Sequence, residues 1–138
     1  MRGARWRGEL DCLVVDLPPG TGDVPLTVMQ SLPLDGLVIV SSPQDLAVMV
    51  VRKAINMGKT MGVKILGLIE NMSYATCPRC GEQMAIFGPS RAADVARQTG
   101  IPLLGILPLD SELSSLCDAG RIDAYNKEEV ARVFQQLL

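Results

Sequence analysis

Short unbroken apolar runs alternate along this chain with longer stretches of helical periodicity. Residues 12–17, CLVVDL, are almost wholly apolar and carry an acid near their end. Residues 37–41, LVIVS, and 64–70, KILGLIE, have the same character, and 103–107, LLGIL, is a weaker fourth run. Runs without in-out alternation are the pattern of strands covered on both faces. Between them, residues 24–32 form a modest helical pattern. Residues 45–61 form the clearest one, with Asp45 as the expected N-cap after Ser42-Pro43 and Gly62 as the stop. Ser90 is the expected cap of a helix running to about Thr99 and ended by Gly100. A shorter helix is expected after Ser111. A last one starts near Asn126, with Glu129 three positions on as in a capping box, and Val130, Val133, Phe134 and Leu137 on one face.

Strands alternating with helices predict an α/β fold with a parallel sheet flanked by helices. The 138 residues fit one domain, and no repeat or linker interrupts them. The least regular segment is 71–89, directly after a predicted strand, and ligands of open α/β sheets bind at the carboxyl ends of strands. Composition changes little: 48% of residues are apolar, 20% charged, and the formal net charge is −2. No broad basic field points to nucleic acid. No run approaches the ~18 apolar residues of a membrane span, and the basic start MRGARWR lacks the apolar stretch of a signal peptide. The expected setting is the cytoplasm.

The absence of histidine excludes Ser-His-Asp and Cys-His nucleophile systems and any His-bearing zinc site. Three segments remain as carriers of chemistry. In VVDLPPGTGD, residues 14–23, an apolar run ending in Asp16 fits a Walker-B element, whose carboxylate holds magnesium. Gly20 and Gly22 would let backbone approach a phosphate; the competing reading is a plain strand–turn–helix corner. In ENMS, residues 70–73, the Asn71 amide can both donate to and accept from an adenine edge, although Asn at a strand end also serves as a turn former.

The third segment is CPRCG, residues 77–81. A CxxC pair serves as a redox centre, as half a zinc ribbon, or as half an iron–sulfur site. Gly81 and the polar residues after it favour a knuckle turn over the start of a redox helix. A closed tetrahedral site needs four ligands. The chain has two further cysteines, Cys12 and Cys117, both in patterns that predict core positions. The missing half is therefore best supplied by a second copy of the chain. About a two-fold axis, two CxxC turns form a four-thiolate cage for a [4Fe–4S] cluster, or for zinc after aerobic handling.

Taken together, GELDCLVVDLPPGTGD, VIVSSPQDLAVMVVRKAINM, ILGLIENMSYATCPRCGE, FG and LLGILPLDSELSSLCDAG resemble the C-terminal part of the Mrp/ApbC-type iron–sulfur cluster carrier ATPases. These are relatives of MinD and nitrogenase iron protein. The resemblance covers about Gly8 to Gly120. It implies a partial P-loop NTPase-like sheet, ATP and magnesium as ligands of the full-length family, and delivery of clusters to apo iron–sulfur proteins. Asp16 matches the Walker-B acid, Gly20 the switch glycine near the γ-phosphate, and Asn71 the adenine-facing amide. Pro108, with Leu109 and Asp110, matches a segment lining the base pocket. Cys77 and Cys80 match the cysteines that bridge a cluster across the family's homodimer.

One departure is large. The family's glycine-rich phosphate loop, of the GKGGVGKS kind, has no counterpart here. Gly58-Lys59-Thr60 fits superficially but lies inside a predicted helix. Without backbone N–H groups and a lysine around the phosphates, Asp16 has no phosphate to serve, and the chain alone is expected not to hydrolyse ATP. Pro89-Ser90 also stands where the family is usually glycine-rich. The resemblance places the P-loop strand between the 12–17 run and the 37–41 strand. Its loss leaves three outcomes: the two strands close up, the chain pairs with another copy, or the upstream half is supplied elsewhere. A fragment, a split gene or a misplaced start would each account for such a chain. Beside the carrier stand three alternatives. They are an ATPase half needing a separate P-loop segment, a structural zinc knuckle, and a MinD-like positioning protein. The last would need a basic amphipathic tail that residues 126–138 do not form.

Overall fold

The computed structural model describes residues 10–137. The basic start falls outside that range, and Gln44 rather than Asp45 is the N-cap of the helix that begins at Asp45. Helix α1 spans Asp23–Ser31, strand β1 Leu37–Ser41, helix α2 Asp45–Thr60 and strand β2 Ile65–Glu70. A two-residue pair, β3 at Ala75–Thr76 and β4 at Gln83–Met84, precedes α3 at Ala92–Thr99. The chain ends with β5 at Leu103–Ile106, α4 at Ser111–Asp118, a 3-10 turn at Ile122–Ala124, and α5 at Glu128–Gln135.

Three of the four apolar runs form one parallel sheet in the order β1-β2-β5. The central strand shows why its sequence lacks alternation. Leu68 faces a core built by α2 and α3 with Ile39, Val51, Ile55, Val95 and Ile101, while Ile69 faces a second core with Leu104 and Val133 of α5. Both sides of β2 are covered, so both need apolar residues. The fold is thus the expected parallel sheet flanked by helices.

The fourth run, residues 12–17, is not a strand. It has no ladder partner among the described residues, and Val14 is 80% exposed. A strand exists only through the hydrogen bonds of its neighbour. Here β1, the nearest sheet edge in the expected order, pairs with β2 alone among the described residues, and its Val40 is 60% exposed. The two runs do not close the gap left between them.

Four local expectations also change. Cys12 and Cys117 are exposed rather than core: Cys12 lies in the unpaired run, and α4, which carries Cys117, buries no residue. Helix α3 starts at Ala92 with Arg91 as N-cap, so Ser90 does not cap it. Helix α5 starts at Glu128 after Lys127 without a side-chain cap, so no capping box forms at Asn126. Of its expected apolar face Val133 is buried, Val130 and Leu137 are half-buried, and Phe134 is exposed. Gly58 confirms the structural reading of Gly-Lys-Thr: a β-carbon there would meet Ile65 Cδ1 at 2.6 Å and Leu37 Cδ1 at 3.0 Å. The glycine lets α2 lie close on β1 and β2, and it forms no phosphate loop.

Candidate functional site

The cysteines sit at the tip of the antiparallel β3–β4 hairpin. Ala75 pairs with Met84 and Thr76 with Gln83. The turn is closed by two backbone bonds, Cys77 N–H to Glu82 O and Gly81 N–H to Cys77 O, each 2.9 Å. Gly81 has φ +76°, the left-handed conformation that lets the chain turn back so tightly. Cys77 is half-exposed, Cys80 is exposed, and neither forms a disulfide.

The turn aims backbone donors at sulfur. The Arg79 N–H, then the Cys80 N–H, then the Cys80 thiol hold the Cys77 thiol below its usual value, against a smaller opposing effect of desolvation. Hydrogen bonds to the charged form favour it. A thiolate is the form that binds metal. This is the knuckle turn expected from Gly81, and it prepares a sulfur donor for a soft cation. Around it Met84, Ile86 and Phe87 expose apolar surface. Among the described residues, no group of three or more Cys, Asp or Glu side chains is placed to hold a metal ion. Each hairpin therefore offers two sulfurs and no third ligand of its own.

The hairpin grows directly from the sheet's carboxyl end. Asn71 N–H donates to Ser41 O at 2.7 Å, Ser73 N–H to Leu107 O at 3.0 Å, and Leu109 N–H to Tyr74 O at 2.7 Å. These bonds lay the segment after β2 beside the segment after β5, and so bring Asn71 and Pro108 into one region. The Asn71 side-chain oxygen accepts from Met72 N–H at 2.9 Å, with Met72 at φ 57°, so the amide shapes this turn through its oxygen. Its nitrogen has no hydrogen-bond partner among the described residues.

Asp110 is engaged structurally. One oxygen accepts from Glu112 N–H at 2.8 Å and caps α4; the other accepts from the Tyr125 hydroxyl at 2.9 Å and lies 3.4 Å from Lys127 Nζ. Burial pushes the Asp110 carboxyl up, but the Glu112 N–H, the Tyr125 hydroxyl and Lys127 together outweigh it and hold the group below its usual value. Tyr125 is pushed up to about 12, by burial first and then by Asp110.

Asp16 and Gly20 stand apart from this region. Both are exposed, the Asp16 carboxylate hydrogen-bonds nothing among the described residues, and no hydrogen bond joins either residue to the Asn71 or Pro108 turns. Gly20 adopts φ +97°, a conformation open to glycine, with no atom within 4 Å of where a β-carbon would stand. Two open clefts of about 450 and 510 Å³ lie between α2 and α3, lined in common by Arg52 and Gln98. None of Asp16, Gly20, Asn71, Pro108 and Asp110 lines either cleft.

The ENMS string points to Asn71 and does not by itself reveal the role of its neighbours. Glu70 is a buried acid whose carboxylate accepts from the Ser73 hydroxyl and from Arg91 N–H. The available signal was an acid closing an otherwise apolar run, three residues before a serine.

A parallel α/β sheet flanked by helices, with irregular segments at the carboxyl ends of its strands, is the architecture of nucleotide-binding α/β proteins. Comparison with known families narrows this. The family described as ParA, NUBPL iron-transfer P-loop NTPase, matches residues 1–138, and the chain belongs to it. Among curated relatives, the iron-sulfur cluster transfer protein NUBPL of Dictyostelium discoideum is 49% identical over 121 residues, covering 88% of this chain and 37% of the relative. The iron-sulfur cluster carrier protein of Aquifex aeolicus is 42% identical over 132 residues, covering 94% and 36%. A solved nucleotide-binding protein from Archaeoglobus fulgidus, in complex with ADP and with cobalt found in it, superposes with a TM-score of 0.80 at 48% identity. It covers 89% of this chain and 51% of that one. The chain thus spans well under half the length of these two curated relatives and about half of the solved protein.

Proposed function

We propose that this chain is the cluster-holding part of an iron–sulfur carrier. Cys77 and Cys80 of two copies enclose one [4Fe–4S] cluster as cargo and release it to apo iron–sulfur proteins. The observation that carries the reading is the knuckle: two free sulfurs at a hairpin tip, one favoured as thiolate by backbone N–H groups. With two ligands per hairpin, a closed four-sulfur site requires a second hairpin. The exposed Met84, Ile86 and Phe87 supply apolar surface for that contact. Cargo shared between copies is also easily released, because separating them leaves each side with half a ligand set. Zinc, which accepts the same four thiolates, occupies the cage after aerobic preparation. The cytoplasm, which keeps thiols reduced, suits such a carrier.

The nucleotide part of the reading rests on the family and on the ADP in the solved relative. Asp16 would hold magnesium, Gly20 would present backbone to the phosphates, and the free Asn71 amide nitrogen and Pro108 would meet the base. Asp110 would contribute through the start of α4, since its carboxylate is already committed to Glu112, Tyr125 and Lys127. The phosphate-wrapping loop must then come from a segment outside these residues, so this chain alone does not turn over ATP.

Anaerobic reconstitution with iron and sulfide tests the cysteine reading. The expected product has a broad visible absorbance, four iron per two chains by native mass spectrometry, and no cluster in Cys77→Ser or Cys80→Ser. A full cluster retained on a strictly monomeric chain would refute sharing. One zinc per chain, unmoved by dilution to monomer, would establish a structural knuckle in its place.

A further inference from the structure

The cysteine hairpin is an excursion of residues 71–91 between β2 and α3, and a single carboxylate spans its neck. Glu70, the last residue of β2, is 3% exposed, and so is Ser73. Glu70 Oε2 accepts from Ser73 Oγ at 2.7 Å, on the outgoing stem. Glu70 Oε1 accepts from Arg91 N–H at 3.1 Å, on the returning stem, 21 residues away in sequence. Its backbone is locked as well: Glu70 pairs with Ser41 on one side and Ile106 on the other, and its carbonyl accepts from Leu107 N–H at 2.8 Å.

An ionised or hydrogen-bonded carboxylate is costly to bury unless it is well satisfied. An apolar residue would fit a strand covered on both faces more simply. What the acid supplies is two acceptor oxygens pointing in different directions. One takes the N–H of Arg91, the N-cap residue of α3, which makes no side-chain cap bond, and a carboxylate near a helix N-terminus is further favoured by the helix dipole. The other takes the hydroxyl of the outgoing stem.

The geometry points to Glu70 as a positioning residue for the cysteine hairpin, clamping both stems of residues 71–91 so that Cys77 and Cys80 are presented in one fixed orientation. This inference rests on the cysteine reading given above. Thiolate ligands must be held to within a few tenths of an ångström for a tetrahedral centre, and groups behind the ligands set that precision. A hairpin with only two rungs has little rigidity of its own, so its orientation is fixed at its base.

Two measurements on the full chain separate the clamp from the cysteine reading. The first is hydrogen–deuterium exchange on the metal-free protein. Glu70→Ala should raise exchange at residues 74–91 about 10-fold or more, the loss of hydrogen bonds to a charged group, with β1 and β2 amides unchanged. Glu70→Gln keeps an acceptor for Arg91 N–H and should fall between wild type and Glu70→Ala. Should Glu70→Ala not fold, Ser73→Ala removes the outgoing bond alone and carries the same prediction for residues 74–80. The second is anaerobic titration with cobalt(II), read by its thiolate charge-transfer bands. The bands should weaken and affinity fall about 10-fold in Glu70→Ala, with partial rescue in Glu70→Gln. Unchanged loop exchange overturns the clamp whatever cobalt does. Raised exchange with unaltered cobalt bands overturns the positioning role. Bands that persist in Cys77→Ser refute the cysteine reading, while the exchange result continues to decide the clamp.

Discussion

Replacing Asp110 by alanine distinguishes a scaffold role from a ligand role, and its cost can be worked out bond by bond. The side chain caps α4 through Glu112 N–H, a contact worth about 1 kcal/mol. It accepts from the Tyr125 hydroxyl at 2.9 Å, a bond to a charged group worth about 1.5 kcal/mol. Its ion pair with Lys127 reaches into solvent and adds little. Asp110→Ala should therefore destabilise the chain by roughly 2–3 kcal/mol in urea denaturation at neutral pH, a sum taken over the same three contacts. Asp110→Asn keeps an oxygen for the cap and should cost about half as much. Tyr125→Phe alone should cost about 1 kcal/mol, and the double-mutant cycle should return a coupling of about 1 kcal/mol. The pH dependence has a fixed sign. Asp110 has a lowered value in the fold, so its contribution is complete above the ordinary carboxylate range and disappears as pH falls through the lowered value. A cost below about 0.5 kcal/mol, or no coupling to Tyr125, would refute the scaffold account. It would leave the carboxylate available for a nucleotide.

Two further outcomes follow from the same structure. Tyr125, raised to about 12, holds its proton more tightly when folded; its contribution is complete below the unfolded value near 10 and is lost as pH rises from about 10 to 12. Solvent screening of this partly exposed pair leaves about 1 kcal/mol, so denaturation midpoints should drop further over that range in wild type than in Tyr125→Phe, where Tyr74 and Lys127, also raised, still contribute. Gly58→Val should destabilise by about 1–3 kcal/mol in the same assay, because its branched side chain is driven into Ile65 and Leu37. Gly58→Ala should be near neutral, since the flexible tip of Ile65 can move and alanine favours the helix.

How much was legible in advance follows the range of the interactions. The β2 run could be read because burial on both faces leaves its mark on every residue of the run, as at Leu68 and Ile69. The knuckle could be read because Cys77, Cys80 and Gly81 make their own turn. The 12–17 run carries the same local signal as β2, but a ladder depends on a neighbour, and β1 offers no bond to it. Cys117 looked like core because α4 is amphipathic, yet α4 packs against the turn at Ile122–Ala124 rather than the sheet. Ser90 looks like the cap of α3 from its place in the sequence, whereas the N-cap is Arg91, and its N–H donates to Glu70, brought there by the fold. Local chemistry was visible in the string of residues; the clamp at the hairpin's neck and the commitment of Asp110 to Tyr125 needed three dimensions.

The open side of β1 leaves a sheet edge without a ladder partner among the described residues. Unpaired amides beside the bare Val40 offer a seam along which one sheet can continue into another. A strand laid against it would be held by backbone bonds and would need no sulfur. If copies associate there without metal, Val40→Lys should weaken that association in sizing chromatography and Cys77→Ser should leave it unchanged.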